Sequence, residues 1–153
     1  MNIALRQAMD RDKVELYALY KDAMQGHIET IWGWDEEWQR DDFEKSFASC
    51  DTQVVEVDSE LAGYIQTESR ENNLHIRMIV LGQGFRYKGV GKMLINRMKL
   101  KAAHSGRALQ LSVFKVNNRA FKFYKSNNFA IKSEDSIWYL MEQIGSDAGA
   151  PNE

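Results

Sequence analysis

An apolar stretch that runs into a glycine-bearing turn and then into a helix most restricts what this chain can fold into. Leu74, Ile76, Met78 and Val80 alternate with His75, Arg77, Ile79 and Leu81, the period of a long strand. Gly82-Gln83-Gly84 ends it, Arg86-Tyr87-Lys88-Gly89-Val90-Gly91 turns the chain, and helical spacing follows over about residues 88–104. Residues 108–114 alternate again, so the second strand returns parallel to the first through a right-handed helical crossover. The junction gathers backbone N–H groups and the positive end of a helix dipole at one spot, the recipe for a phosphate or pyrophosphate site. Gly89 and Gly91 as plain turn residues are the alternative.

Composition narrows the setting. With 153 residues, 44% hydrophobic and 27% charged, one compact domain is expected over residues 1–144, followed by a disordered tail at 145–153. One cysteine (Cys50) excludes an internal disulfide, and His27, His75 and His104 show no metal-ligand spacing, so no metal is expected. No apolar run reaches the roughly 18 residues of a membrane span, and no signal-peptide core is visible, so a cytoplasmic location is expected. The net charge of −2 hides an asymmetry: residues 72–133 carry 13 Lys or Arg and no Asp or Glu. That block contains the glycine turn and suits a polyanion such as a nucleotide, a CoA phosphate or nucleic acid; a solvated basic face is the other reading.

In chain order, residues 3–8 suit a strand. Asp10 or Asp12 can cap a helix running to about Met24, and Gln25-Gly26-His27 reads as its break. Residues 28–47 hold Trp32, Trp34, Trp38, Phe43 and Phe47 among Asp35, Glu36, Glu37, Asp41, Asp42 and Glu44. They read as a turn or short helix and then a second helix. Residues 53–57 and 61–66 form a hairpin about Asp58-Ser59-Glu60. Asn117 or Asn118 caps a helix carrying Ala120, Phe123 and Tyr124, Asn127-Asn128 stops it, and 129–131 with 137–141 close a last hairpin.

The order β-α-α-β-β-β-α-β-α-β-β, Arg86-x-x-Gly89-x-Gly91, and Asn117-x-x-Ala120-x-x-x-Tyr124 followed by Phe129 together resemble the GNAT superfamily of N-acetyltransferases over nearly the whole chain. Neither a dinucleotide-binding nor a P-loop glycine pattern is present. The resemblance implies an α/β fold, an α+β mixed sheet splayed at its centre. It implies acetyl-CoA as co-substrate, with the amides of Arg86, Tyr87, Lys88, Gly89, Val90, Gly91 and Lys92 holding the pyrophosphate. Backbone groups of Ile79, Val80 and Leu81 would pair with the pantetheine arm. Asn117 matches a residue that contacts that arm, and Tyr124 one placed near the thioester sulfur.

The implied reaction is direct. A neutral amine attacks the thioester carbonyl, and Tyr124, at a reference pKa of about 10, protonates a thiolate whose reference is about 8.5. No enzyme nucleophile is needed, consistent with a lone Cys50. Tyr124 packing its ring with its hydroxyl on a carbonyl, and Asn117 as a helix cap alone, are the alternatives. The strand leading into the turn lacks the carboxylate base common in the family; water, an acid of the 32–44 segment or a neutral incoming amine would meet the need. Tyr87 stands where the family often has Gly, Asn128 replaces a common Gly, and Gly82-Gln83-Gly84 lacks the usual Pro.

The acceptor, a small-molecule or peptide amine, is expected at Trp32, Trp34 and Glu36, with His75 and Arg77 reaching the same side. That mixture suits a cationic or aromatic-bearing amine. No nucleic-acid or membrane partner is expected; a homodimer is compatible with the sequence, which does not fix the oligomeric state. The alternative function is a non-catalytic acyl-CoA-binding sensor or interaction module.

Overall fold

The structure, a computed structural model, describes residues 1–145; most of the expected tail lies outside them. Seven strands and four helices follow the expected order: β1 (Ile3–Gln7), α1 (Lys13–Ile31), α2 (Glu36–Ser49), β2 (Asp51–Val57), β3 (Glu60–Ser69), β4 (Asn73–Leu81), α3 (Val90–His104), β5 (Ala108–Phe114), α4 (Asn118–Ser126), β6 (Phe129–Glu134) and β7 (Trp138–Gln143). The strands form one mixed sheet in the order β1-β2-β3-β4-β5-β7-β6, with β4 and β5 parallel over Asn73↔Ala108 to Ile76↔Leu111. The chain divides into two compact units: Met1–Glu68 with Met78–Gly91, and Ser69–Arg77 with the described residues from Lys92 on.

In the first unit, Arg6 of β1 grips Asp12 with both terminal nitrogens (2.9 and 3.0 Å) and places its Nε 3.1 Å from Glu56 of β2. Asp12 also accepts the Met9 N–H at 2.8 Å. Its carboxylate therefore makes no cap bond to α1, although its backbone stands at the cap position. The Arg6 hydrogen bonds hold its pKa at about 2. The expected break at Gln25-Gly26-His27 does not occur: α1 continues to Ile31. A helical glycine costs only about 1 kcal/mol, and continuing the helix buries Ile28. The β2–β3 hairpin turns on Asp58 (φ 50°) and Ser59 (φ 72°), both left-handed as a two-residue primed turn requires. Gly63 of β3 has a purely steric reason: a Cβ there would collide with the Val80 carbonyl of β4.

In the second unit, Leu94, Ile95 and Met98 of α3 are buried, as are Leu109, Leu111, Phe129 and Met141. Asn117 caps α4 by accepting the Ala120 N–H at 3.2 Å. Asn128 ends it at φ 70°, the conformation for which the family's glycine is suited and which Asn tolerates.

Candidate active site

The first unit holds the strand end and the turn. Val80 is buried, and its carbonyl is directed at Gly63; the Gly82 N–H donates to the Ala62 carbonyl at 2.8 Å. Gly82 thus needs the N–H that the family's usual proline would lack, while its φ of −63° is one proline could adopt. The Arg86 guanidinium folds back, with Nε 2.9 Å from the Leu81 carbonyl and Nη2 3.6 Å from Asp22 of α1. Arg86 therefore braces the turn through its side chain. Gln83 reaches the same Asp22 at 3.5 Å.

Beyond it, Tyr87 (φ 63°) and Gly89 (φ 83°) both take the left-handed conformation. Tyr87 is a non-glycine residue where that conformation costs about 1–2 kcal/mol, and its ring is 80% exposed. Nothing lies within 4 Å of a Cβ built on Gly89. Helix α3 then begins at Val90 with no acid in its first turn. Lys88 and Lys92 are exposed, and Val90 is buried. The first turn of a helix carries backbone N–H groups without intrahelical partners and the positive end of the dipole, the features that suit an anion.

The expected acceptor residues Trp32, Trp34 and Glu36 also lie in this unit. Trp32 is 58% exposed just beyond α1. Glu36 is the hub of a cluster: Oε1 accepts from Lys21 Nζ and Trp34 Nε1, both at 2.8 Å, Oε2 accepts from the Tyr17 hydroxyl at 2.8 Å, and Arg40 Nε forms an ion pair with Oε2 at 2.9 Å. The Lys21, Trp34 and Tyr17 bonds, in that order, hold its pKa at about 2. The aromatic faces are used likewise: Lys21 Nζ lies 5.8 Å from the Trp34 centroid and the Arg40 guanidinium 4.5 Å from that of Tyr17. Lys21 thus lies against both Glu36 and the Trp34 ring, two of the groups suggested for a cationic ligand.

The second unit holds His75, Arg77, Lys92, Asn117 and Tyr124. His75 is buried and in register with Gln110 of β5, whereas Arg77 is half-buried. Asn117 spends Oδ1 on the α4 cap, and among the described residues its Nδ2 makes no hydrogen bond. Tyr124 is half-buried, its ring edge-on to Phe129 at 5.9 Å and to Phe123 at 5.4 Å. Its hydroxyl has no hydrogen-bond partner among the described residues, which removes the reading in which it serves a backbone carbonyl. Loss of hydration pushes its pKa up to about 12, so the phenol stays protonated at neutral pH.

The acetyltransferase (GNAT) family pattern matches residues 13–129, most of the chain. The chain belongs to the GNAT family. A curated relative, the acetyltransferase PseH of Campylobacter jejuni, is 39% identical over 56 residues; that match spans 35% of this chain and only 36% of the relative. Among solved structures, the fold is similar to that of the PaiA N-acetyltransferase of Thermoplasma acidophilum in complex with coenzyme A. That likeness has a TM-score of 0.75 and 19% identity, and covers 94% of this chain and 99% of the other. It is also similar to Arabidopsis thaliana Naa50 in complex with the bisubstrate analogue CoA-Ac-MVNAL, with a TM-score of 0.61, 18% identity, and 94% and 99% covered.

Cys50 is half-buried after α2, and its thiol shares a hydrogen bond with the Ser49 hydroxyl at 3.8 Å. Among the described residues no cluster of His, Cys, Asp or Glu could hold a metal, and no helix is long and apolar enough to cross a membrane. Asp22 and Gly63 escaped the sequence reading. Asp22 lies far from the turn in the chain, and nothing local marks Gly63 as a point of close backbone approach.

Proposed function

We propose that this chain moves an acetyl group from acetyl-CoA to the amine of a small molecule or peptide, by direct transfer within one ternary complex. The observation that carries the reading is Tyr124, a neutral phenol with no protein hydrogen bond, on a helix whose Asn117 cap keeps its amide nitrogen uncommitted. When bound, acetyl-CoA supplies a thioester whose acyl carbon accepts the amine.

The chain's own groups divide the remaining work. The amides from Arg86 to Lys92 hold the pyrophosphate. The Val80 carbonyl faces β3 and the Leu81 carbonyl is taken by Arg86, so strand alternation leaves the Ile79 peptide groups and the Leu81 N–H for the pantetheine arm. Asn117 Nδ2 donates to the same arm. Tyr124 donates a hydrogen bond to the departing sulfur. With its phenol at about 12, full proton transfer to a thiolate of reference pKa about 8.5 would cost about 5 kcal/mol. The burial that raises the phenol raises the thiol as well, so hydrogen-bond donation comes first and proton transfer follows as that gap closes.

On the acceptor side, Glu36 is too weak a base at a pKa of about 2, which favours an amine that arrives neutral or gives its proton to water. The exposed Trp32 ring, rather than Trp34 and Glu36, offers contact area to an acceptor.

The deciding experiment is a thermal shift with acetyl-CoA followed by turnover across an amine library. Binding must raise the melting temperature, and at least one amine must be acetylated. No shift at saturating acetyl-CoA would remove the reading; a shift without turnover would favour the non-catalytic binding module.

A further inference from the structure

Lys99 sits midway along α3 in the second unit, half-buried, with no carboxylate within ion-pair reach among the described residues. Burial first, and the positive charge of Lys92 second, pull its pKa below the ordinary lysine value. A partly desolvated ammonium without an acid is costly unless something compensates it. Here the compensation is a 2.7 Å hydrogen bond from Nζ to the Asn127 carbonyl, with the Phe129 ring centroid 6.0 Å away.

Both partners lead to Tyr124. Asn127 is the C-cap of α4: its backbone N–H donates to the Tyr124 carbonyl at 3.0 Å, and its Nδ2 donates to the Phe123 carbonyl at 2.8 Å. Phe129 is the ring against which Tyr124 stands edge-on at 65°. One ammonium therefore anchors the residue that ends the helix under Tyr124 and contacts the ring that sets its tilt. No other described side chain bonds the Asn127 carbonyl. The phenol makes no hydrogen bond that would orient it, so its direction depends on backbone and ring packing alone. The geometry points to Lys99 as the positioning residue that aims the Tyr124 hydroxyl for acetyl transfer. This inference rests on the proposed role of Tyr124.

A plain packing role and a positioning role differ in what Lys99→Met does. Expected is a fall in kcat of about 10- to 100-fold, the scale of a small misplacement at a reacting centre, with KM and the calorimetric Kd for acetyl-CoA within about twofold of wild type. Lys99→Arg, which keeps a cationic donor, recovers most of the loss. In a Tyr124→Phe background, Lys99→Met costs nothing further, because the group it positions is gone. A readout without turnover accompanies these: in protein labelled with 13Cζ-tyrosine, the signal lost in Tyr124→Phe shifts in Lys99→Met and returns in Lys99→Arg.

Full additivity of Lys99→Met and Tyr124→Phe, an unmoved Tyr124 signal, or a rise in KM with kcat kept would each overturn the inference. If Lys99→Met does not fold, Lys99→Gln and Lys99→Arg are judged by the same kcat, additivity and signal criteria. A Tyr124→Phe variant with full kcat would bring down the reading of Tyr124 itself, and the inference with it. A Tyr124→Phe loss beside an unaffected Lys99→Met would bring down the inference alone.

Discussion

Glu36 and Tyr124 are both polar residues on helices, singled out from sequence for the same site, and the fold treats them in opposite ways. Glu36 accepts hydrogen bonds from Tyr17, Lys21 and Trp34 and forms an ion pair with Arg40. Tyr124 gives its hydroxyl to none. Most buried or half-buried polar groups find a partner in the protein or in water; Glu36 helps hold its part of the fold together, and Tyr124 does not spend its hydroxyl that way. The acidic, aromatic segment of the first unit looks like a cation site in one dimension, and in three its Glu36 already pairs with the chain's own Lys21 and Arg40.

The contrast breaks most easily at Tyr124. Tyr124→Phe is expected to lower kcat about 10²- to 10⁴-fold, the range of a positioned proton donor, with acetyl-CoA binding retained by calorimetry; wild-type kcat in that variant would end the distinction. Next comes Glu36→Gln. The folded-state pKa of Glu36 is depressed from 4.5 to about 2. It therefore contributes stability that is complete above about pH 4.5 and lost as pH falls toward 2. Melting curves should show the variant less stable at neutral pH and less steeply destabilised across that window, with kcat for any good acceptor close to wild type. A selective loss of cationic acceptors would return Glu36 to the acceptor site.

A finer division is available at Asn117. Asn117→Ala should cost about 1 kcal/mol of stability through the lost cap and also weaken acetyl-CoA binding. Asn117→Asp keeps the cap oxygen and should lose only the binding. Equal binding in wild type and Asn117→Asp would confine Asn117 to the cap. The smallest effect is expected at Tyr87, where Tyr87→Gly relieves a left-handed tyrosine and should raise stability by about 0.5–1 kcal/mol. If acetyl-CoA affinity falls at the same time, the exposed ring contributes to binding.

The glycine turn and the α4 motif were legible for a physical reason: each is built from residues close together in the chain. Gly89, Gly91 and the α3 start are neighbours in the chain, and Asn117, Tyr124 and Asn128 keep helical offsets, so local rules of turns, caps and left-handed stops suffice to find them. Local rules misled at Gly26, where the burial of Ile28 outweighs a modest propensity penalty. They misled again at Asp12, whose carboxylate found a better partner in Arg6 than in the amides of α1.

By itself, then, the order of residues determined the succession of strands and helices, the anion-ready turn and the position of Tyr124 on its helix, because each depends on backbone preferences over a few residues. Only the tertiary structure decided which polar groups remain for a ligand. The Leu81 carbonyl went to Arg86, the Glu36 carboxylate to three hydrogen-bond donors and the Asn127 carbonyl to Lys99. Whether a donor or acceptor is spent depends on partners 2 to 28 residues away in the chain, and spacing along a sequence does not record which of them arrives.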